Sequence, residues 1–257
     1  MSPARAAIRS TVASGIAPGI RPLPRSSTVP GQSATPGLSI AIPQSQSKTV
    51  EDPLDYLPFA PVSEYAKGEM IFGPGRPAEG LFLVVGGMVK VSRIAPDGTP
   101  VILDIYQTDE FFGESSFVST NGGPEVAVAL DDCRVMRWKI ADIEEISTRK
   151  PALALALAHL MVRRTMEFSA RIESFSADNI LRRLVRALLR FSERIGQRTE
   201  DGGDLIPFTH ELLSQYVGTS REIVTHYMND LRKQGLVTYS RRGILLDRAA
   251  AAAWLKA

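Results

Sequence analysis

The sequence predicts an α+β protein in which short antiparallel strands come first, one long helix follows, and a winged helix-turn-helix ends the chain. Three observations carry this. From Pro61 to Ile140, short apolar stretches recur between glycine corners, as in a small barrel or sandwich. From Pro151 to Phe175, apolar residues recur at helical spacing with no internal breaker. From Phe208 to Val237 the chain reads FTHELLSQYVGTSREIVTHYMNDLRKQGLV, two short helical patterns joined by a glycine.

Bulk properties narrow the class. The chain has 257 residues, enough for one or two domains with a substantial core. No apolar run is long enough to span a bilayer, and the N-terminus lacks an apolar signal core, so the expected location is the cytoplasm, with no membrane partner. The single cysteine, Cys133, excludes an internal disulfide framework and a cysteine-rich metal cluster. The net charge of +2 is unevenly spread. Residues 1–50 hold five Lys/Arg and no acid, 51–177 hold 12 basic and 19 acidic residues, and 178–257 hold 13 basic and nine acidic residues. The C-terminal excess suits a phosphate-bearing partner.

Residues 1–52 are rich in Pro, Ser, Gly and Ala and too poor in large apolar residues to offset the entropy of ordering, so disorder is expected. A basic tail touching nucleic acid, an inert leader and a start codon set too far upstream are the readings open for it. Residues 53–150 are the β-domain. Its strands are expected at Glu69–Phe72, Leu81–Val85, Met88–Ile94, Val101–Tyr106, Glu125–Leu130 and Cys133–Trp138. Asp97-Gly98 is a hairpin turn signal between two of them.

Residues 151–177 form the long helix, with Pro151 in its first turn. Leu157, Met161, Arg164, Phe168, Arg171 and Phe175 recur at spacings of four and three. That is the pattern of a coiled-coil seam between two copies of the chain. A helix packed on its own β-domain is the competing reading, and the stripe is wide enough for both. Arg164 and Arg171 on such a seam require partners or partial exposure.

Residues 178–257 form the last unit. Ser176-Ala177-Asp178 is expected to break and cap a strongly amphipathic helix reaching Ile195. Arg182, Arg183, Arg186 and Arg190 occupy its other face, read as solvated. Gly196 to Gly203 reads as a polar loop. Thr209 can cap the next helix, with Leu212, Leu213, Tyr216 and Val217 inward, and Gly218 suits its left-handed end. Ser220 can cap the second, with Ile223, Val224, Tyr227, Met228 and Leu231 inward. Arg221, Glu222, Thr225 and His226 are left outward at its start, where a DNA reader presents base-contacting side chains. Val237 to Leu246 alternates around a turn, a hairpin wing with Arg241 and Arg242 at its tip, placed to meet phosphates. An αα-hairpin of any helical domain is the competing reading; the basic wing and the polar cluster tip the balance to double-stranded DNA.

Gly218-Thr219-Ser220-Arg221-Glu222 before a helix, and Lys233-Gln234-Gly235-Leu236-Val237 after it, resemble the cyclic-AMP receptor protein and fumarate-nitrate regulator (CRP/FNR) superfamily of bacterial transcription factors. Gly80-Leu81-Phe82-Leu83-Val84-Val85-Gly86-Gly87 and Phe111-Phe112-Gly113-Glu114 resemble its β-roll motifs. The resemblance covers about residues 55–257 and implies a cyclic-nucleotide-binding-like β-roll, a dimerisation helix and a winged DNA reader. It implies a homodimer on a palindromic site, with RNA polymerase as a partner if the protein activates. Arg221 and Glu222 match the family's reading pair, for guanine O6/N7 and cytosine N4. The third position, usually arginine, is His226. For Glu222 a capping box with Thr219 is the competing reading.

The effector site departs from the family. Gly113 and Glu114 persist, but the phosphate-gripping Arg-Ser pair reads Pro124-Glu125, and the adenine-facing Thr-Ser pair reads Phe168-Ser169. Proline has no donor, a carboxylate repels phosphate, and Phe168 fills purine space, so cyclic AMP is not the expected effector. One cysteine cannot hold an iron–sulfur cluster. The three histidines lie on expected helices outside the β-roll, which leaves haem unsupported; His159 reads as a helix residue. No cofactor, metal or catalytic group is expected: there is no P-loop, nucleophile elbow or His-Glu-x-x-His, and His210-Glu211 lacks the second histidine. A nucleotide-sensing module acting on a protein partner is the runner-up, and it would need an intact cassette and no reader.

Overall fold

The structure, a computed structural model, describes residues 52–118, 124–199 and 203–256. The leader expected over 1–52 lies outside the described residues as far as Glu51. The first unit holds strands β1 (Val62–Tyr65), β2 (Met70–Phe72), β3 (Gly80–Gly86), β4 (Met88–Ile94), β5 (Pro100–Gln107), β6 (Phe111–Phe112), β7 (Glu125–Ala129) and β8 (Cys133–Lys139). They pair antiparallel into two four-stranded sheets, ordered β1-β8-β3-β6 and β2-β7-β4-β5.

β3 explains why this stretch reads as unbroken apolar sequence. Its alternate residues serve two cores. Phe82 and Val84 enter the core between the sheets, while Leu81, Leu83 and Val85 enter the one beneath the helices. The first core is a ring cluster, with Phe82–Phe112 centroids 5.1 Å apart and Tyr106–Phe112 5.6 Å apart. The second receives Ile143 from α1 (Ile140–Arg149) and Leu153 and Leu157 from α2 (Pro151–Ala177).

The C-terminal unit holds α3 (Ile180–Arg194), α4 (His210–Val217), α5 (Arg221–Lys233) and α6 (Arg248–Lys256). Its sheet, in the order β11-β12-β10-β9, comprises β9 (Gln197–Arg198), β10 (Asp204–Ile206), β11 (Val237–Ser240) and β12 (Gly243–Leu246). β9 therefore lies within the segment expected to be a polar loop, and β10, which pairs with it, starts directly after that segment. β10 also pairs with β12, which buries Leu205 and Ile206.

Two expectations for α3 are corrected. Its N-cap is Asn179, whose Oδ1 accepts from the Arg182 amide at 2.9 Å. Asp178 instead accepts from the Ser174 hydroxyl at 2.7 Å and from Arg186 Nε at 2.6 Å. The Ser174 bond first, then Arg186, holds its carboxyl below the usual range. The arginine face is also not simply solvated. Arg182 donates to the Leu255 carbonyl of α6, Arg183 lies over the Phe175 ring, and Arg190 reaches Asp104 and Glu167.

The stripe expected as a seam between two copies packs on its own chain. Leu157 is buried in its own chain, and Arg164 bonds Tyr106, Glu114 at 2.8 Å and the Phe111 carbonyl at 2.8 Å. Met161 and Phe168 are half-buried, and Phe175 sits against Gly218 of the same chain. These residues form the intramolecular side of α2. The side left free carries Leu155, Val162 and Met166, which are 47%, 58% and 67% exposed. With His159, Ser169 and Glu173 they make the same four-three progression, rotated round the helix.

The two units are joined by apolar and polar contacts. Ile102 and Ile105 of β5 belong to the core of the C-terminal unit. Arg171 of α2 donates to the carbonyls of Leu103 and Ile102 on β5 and, at 3.1 Å, to that of Tyr216 on α4. Asp104 of β5 accepts from Arg194 at 2.9 Å and from Arg190 at 3.2 Å.

Candidate DNA interface

The helix pair around Gly218 is built by local rules. Thr209 caps α4, accepting from the Leu212 amide at 3.2 Å. Gly218 takes φ 72° and ψ 55° and donates to Ser214, a left-handed helix end that suits a residue without Cβ. Ser220 caps α5, accepting from the Ile223 amide at 3.3 Å. Because Ser220 and not Thr219 is the cap, Glu222 is not the acid of a capping box with Thr219. Its carboxyl is held below the usual range first by its own backbone amide and then by the Ser220 hydroxyl.

Val224, Met228 and Leu231 bury the inner side of α5, and Tyr227 is half-buried; Ile223, expected inward, is 38% exposed. The opposite arc presents Arg221, Glu222 and His226 to solvent. The Arg221 guanidinium has no hydrogen-bond or ion-pair partner among the described residues. His226 Nε2 lies 3.4 Å from Asp230. Asn229, one turn further on the same arc, is exposed too. Its spacing after Arg221, Glu222 and Thr225 is the sequence signal that puts it on this arc.

Thr225 and His210 have a structural task. The Thr225 hydroxyl donates to the Arg221 carbonyl at 2.9 Å, so it accepts from His210 Nδ1–H at 2.9 Å. His210 Nε2 is thereby left to accept the Tyr239 phenol at 2.8 Å. One neutral imidazole ties α4, α5 and β11 together. Burial, then Arg221, lowers its pKa, which favours that neutral form. Arg241 and Arg242 form the exposed turn between β11 and β12, where the Arg242 amide donates to Ser240 Oγ at 3.1 Å.

A second feature lies in the β-roll. A cavity of about 570 Å3 opens between it and α2, walled chiefly by apolar groups including Val91, Leu103, Phe168 and Ile172. Its polar wall includes two carboxylates. Glu114 is paired with Arg164, and Glu125 accepts from Ser115 at 2.8 Å and lies 3.5 Å from Arg93. Gly113 (φ 85°) starts the turn that holds Glu114, and a Cβ there would meet Phe82 at 2.6 Å. Ser169 is exposed and donates to the Thr165 carbonyl. Cys133 is buried, which pushes its thiol up to about 11 and makes it a poor redox group.

Comparison with known proteins agrees with this arrangement. Residues 62–150 match the cyclic nucleotide-binding domain family, and residues 182–252 match the Crp-like helix-turn-helix domain family. The chain belongs to the CRP/FNR superfamily of transcription regulators.

This regulator is 25% identical over 188 residues to the CRP-like cAMP-activated global transcriptional regulator of Mycobacterium tuberculosis, covering 72% of this chain and 83% of that one. It is 29% identical to the cyclic AMP receptor protein of Thermus thermophilus, over 67% of this chain and 77% of that one. Among solved structures, FixK2 from Bradyrhizobium japonicum shares the fold at a TM-score of 0.66 and 22% identity, covering 76% of this chain and 96% of that one. Its relatives are regulators rather than enzymes. No described helix of the regulator is long and apolar enough to cross a membrane.

Proposed function

We propose that this regulator is a cytoplasmic homodimer that reads a palindromic duplex site with α5 of each copy and does not respond to cyclic AMP. Residues 53–150 serve as the effector-binding-like domain, 151–177 as the dimerisation helix and 178–257 as the DNA reader. The observation that carries DNA reading is the exposed arc of Arg221, Glu222, His226 and Asn229 opposite the buried Val224, Met228 and Leu231. Arg221 contacts guanine, Glu222 accepts from cytosine, and Arg241, Arg242 and the exposed Thr209 and Ser220 meet the backbone. Half-sites lie about one helical turn apart, ~34 Å. A gel shift on promoter DNA across a salt series tests this; affinity that ignores both salt and sequence would overturn it.

The dimer reading rests on Leu155, Val162 and Met166, three large exposed apolar side chains on the free side of α2. Val162→Asp is expected to give monomers in light scattering, with the fold kept by circular dichroism. A variant that stays dimeric refutes this face.

The cyclic-AMP reading rests on the cavity wall. A phosphate there would meet Glu114 and Glu125; of the two arginines on the wall, Arg93 lies close to Glu125 and Arg171 is engaged by the carbonyls of Leu103, Ile102 and Tyr216. Calorimetry with cyclic AMP is expected to show no saturable heat at micromolar concentrations. The largely apolar wall suits an uncharged ligand better. Selective micromolar binding of cyclic AMP would reverse this reading.

A further inference from the structure

A separate cavity of about 260 Å3 lies where the end of α2, the face of α3 and the end of α4 meet. Four guanidinium groups line it, those of Arg171, Arg183, Arg186 and Arg190, against the carboxylates of Glu173 and Asp178. Two of the four are matched. Arg186 pairs with Asp178 at 2.6 Å, and Arg190 pairs with Asp104 at 3.2 Å and Glu167 at 2.8 Å. The other two are not. Arg171 donates to neutral carbonyl oxygens, and Arg183 has no carboxylate partner among the described residues, its guanidinium lying 4.8 Å over the Phe175 ring. On the wall itself four guanidinium groups stand against two carboxylates.

A second observation is independent of charge. Tyr216 is 4% exposed, yet its hydroxyl has no hydrogen-bond partner within the protein. The same holds for the buried Nε–H groups of Arg183 and Arg190. All three belong to residues of this cavity wall. Buried polar groups are almost always satisfied, and an Arg Nε–H can only donate. The wall residues therefore hold three donors without acceptors and two more guanidinium groups than carboxylates.

We propose that this cavity binds a small anion, a phosphate or carboxylate group on a compact molecule. Guanidinium groups supply charge-assisted hydrogen bonds to either group, and the phenol adds a neutral donor. The volume sits just below the usual ligand range, which limits the occupant to a few heavy atoms around the anionic group. Because the wall is drawn from α2, α3 and α4, an occupant would contact the long helix and the reader at once. The site shares Arg171 and Phe175 with the wall of the β-roll cavity and lies apart from the outward arc of α5.

The test is calorimetric titration of the full chain, free of DNA, with inorganic phosphate and separately with acetate; the stronger binder identifies the anion class. Saturable binding near one anion per chain is expected for at least one of the two. Arg183→Gln should weaken it about tenfold or more, the scale of one charge-assisted bond. Tyr216→Phe keeps the ring beneath Arg171 and should weaken it a few-fold. Arg241→Gln with Arg242→Gln should leave the affinity unchanged. No saturable binding of either anion, binding that Tyr216→Phe and Arg183→Gln leave within twofold, or binding lost with the wing arginines would each overturn the proposal. Should Arg183→Gln fail to fold, the near-isosteric Tyr216→Phe decides.

Discussion

Asp104→Ala is expected to lower the unfolding free energy by about 3 kcal/mol or more. The Asp104 side chain is 3% exposed and accepts from Arg194 at 2.9 and 3.2 Å and from Arg190 at 3.2 Å. Its Oδ1 also accepts from the Ile105 amide at 2.9 Å. Removing one partner of a buried charge group leaves the others uncompensated, at a cost of about 3–5 kcal/mol. The lower end applies because each arginine keeps a second acid, Glu110 at 2.7 Å for Arg194 and Glu167 at 2.8 Å for Arg190. Urea unfolding of both proteins measures it. A difference below about 1 kcal/mol would show that Glu110 and Glu167 alone neutralise the arginines.

Arg221→Ala is expected to cost about 1–3 kcal/mol of discrimination between the cognate site and random duplex, with far less effect on the random duplex. A bidentate guanidinium on guanine supplies sequence information, and Arg221 has no partner among the described residues that would compete for that contact. Arg241→Gln with Arg242→Gln should behave oppositely. It should weaken binding to all sequences alike and flatten the log-affinity against log-salt slope by about two. Fluorescence anisotropy on both duplexes across a salt series separates the two. Equal losses on cognate and random DNA from Arg221→Ala would remove it from base reading.

What the sequence revealed and what it hid divide by range of interaction. Gly218, Thr209 and Ser220 are legible because helix ends are set by groups a few residues away. The long β-roll strands are legible from their apolar runs. Asp178 and Asn179 are both good caps by residue type. The choice falls to Asn179 because Ser174 and Arg186 engage Asp178, and the latter lies two turns further along α3. The arginines of α3 look solvated in sequence because their partners, Asp104 and the Leu255 carbonyl, are 86 and 73 residues away. The stripe of α2 is legible as apolar, but periodicity does not say whether the surface it meets belongs to the same chain. β10, at three residues, is too short for an alternation to register, and its partner β12 is distant.

The two isoleucines of β5 carry a thermodynamic consequence. Ile102 and Ile105 are 0% exposed and lie in the reader's core. Swinging the reader off the β-roll would uncover both, at roughly 1.5–3 kcal/mol each. Unless the new arrangement covers them again, it is disfavoured by about 3–6 kcal/mol, a population ratio of roughly one in a hundred to one in ten thousand. Any molecule that reorients the reader must favour the rare arrangement by at least that margin, so weakly selective ligands would bind without switching it.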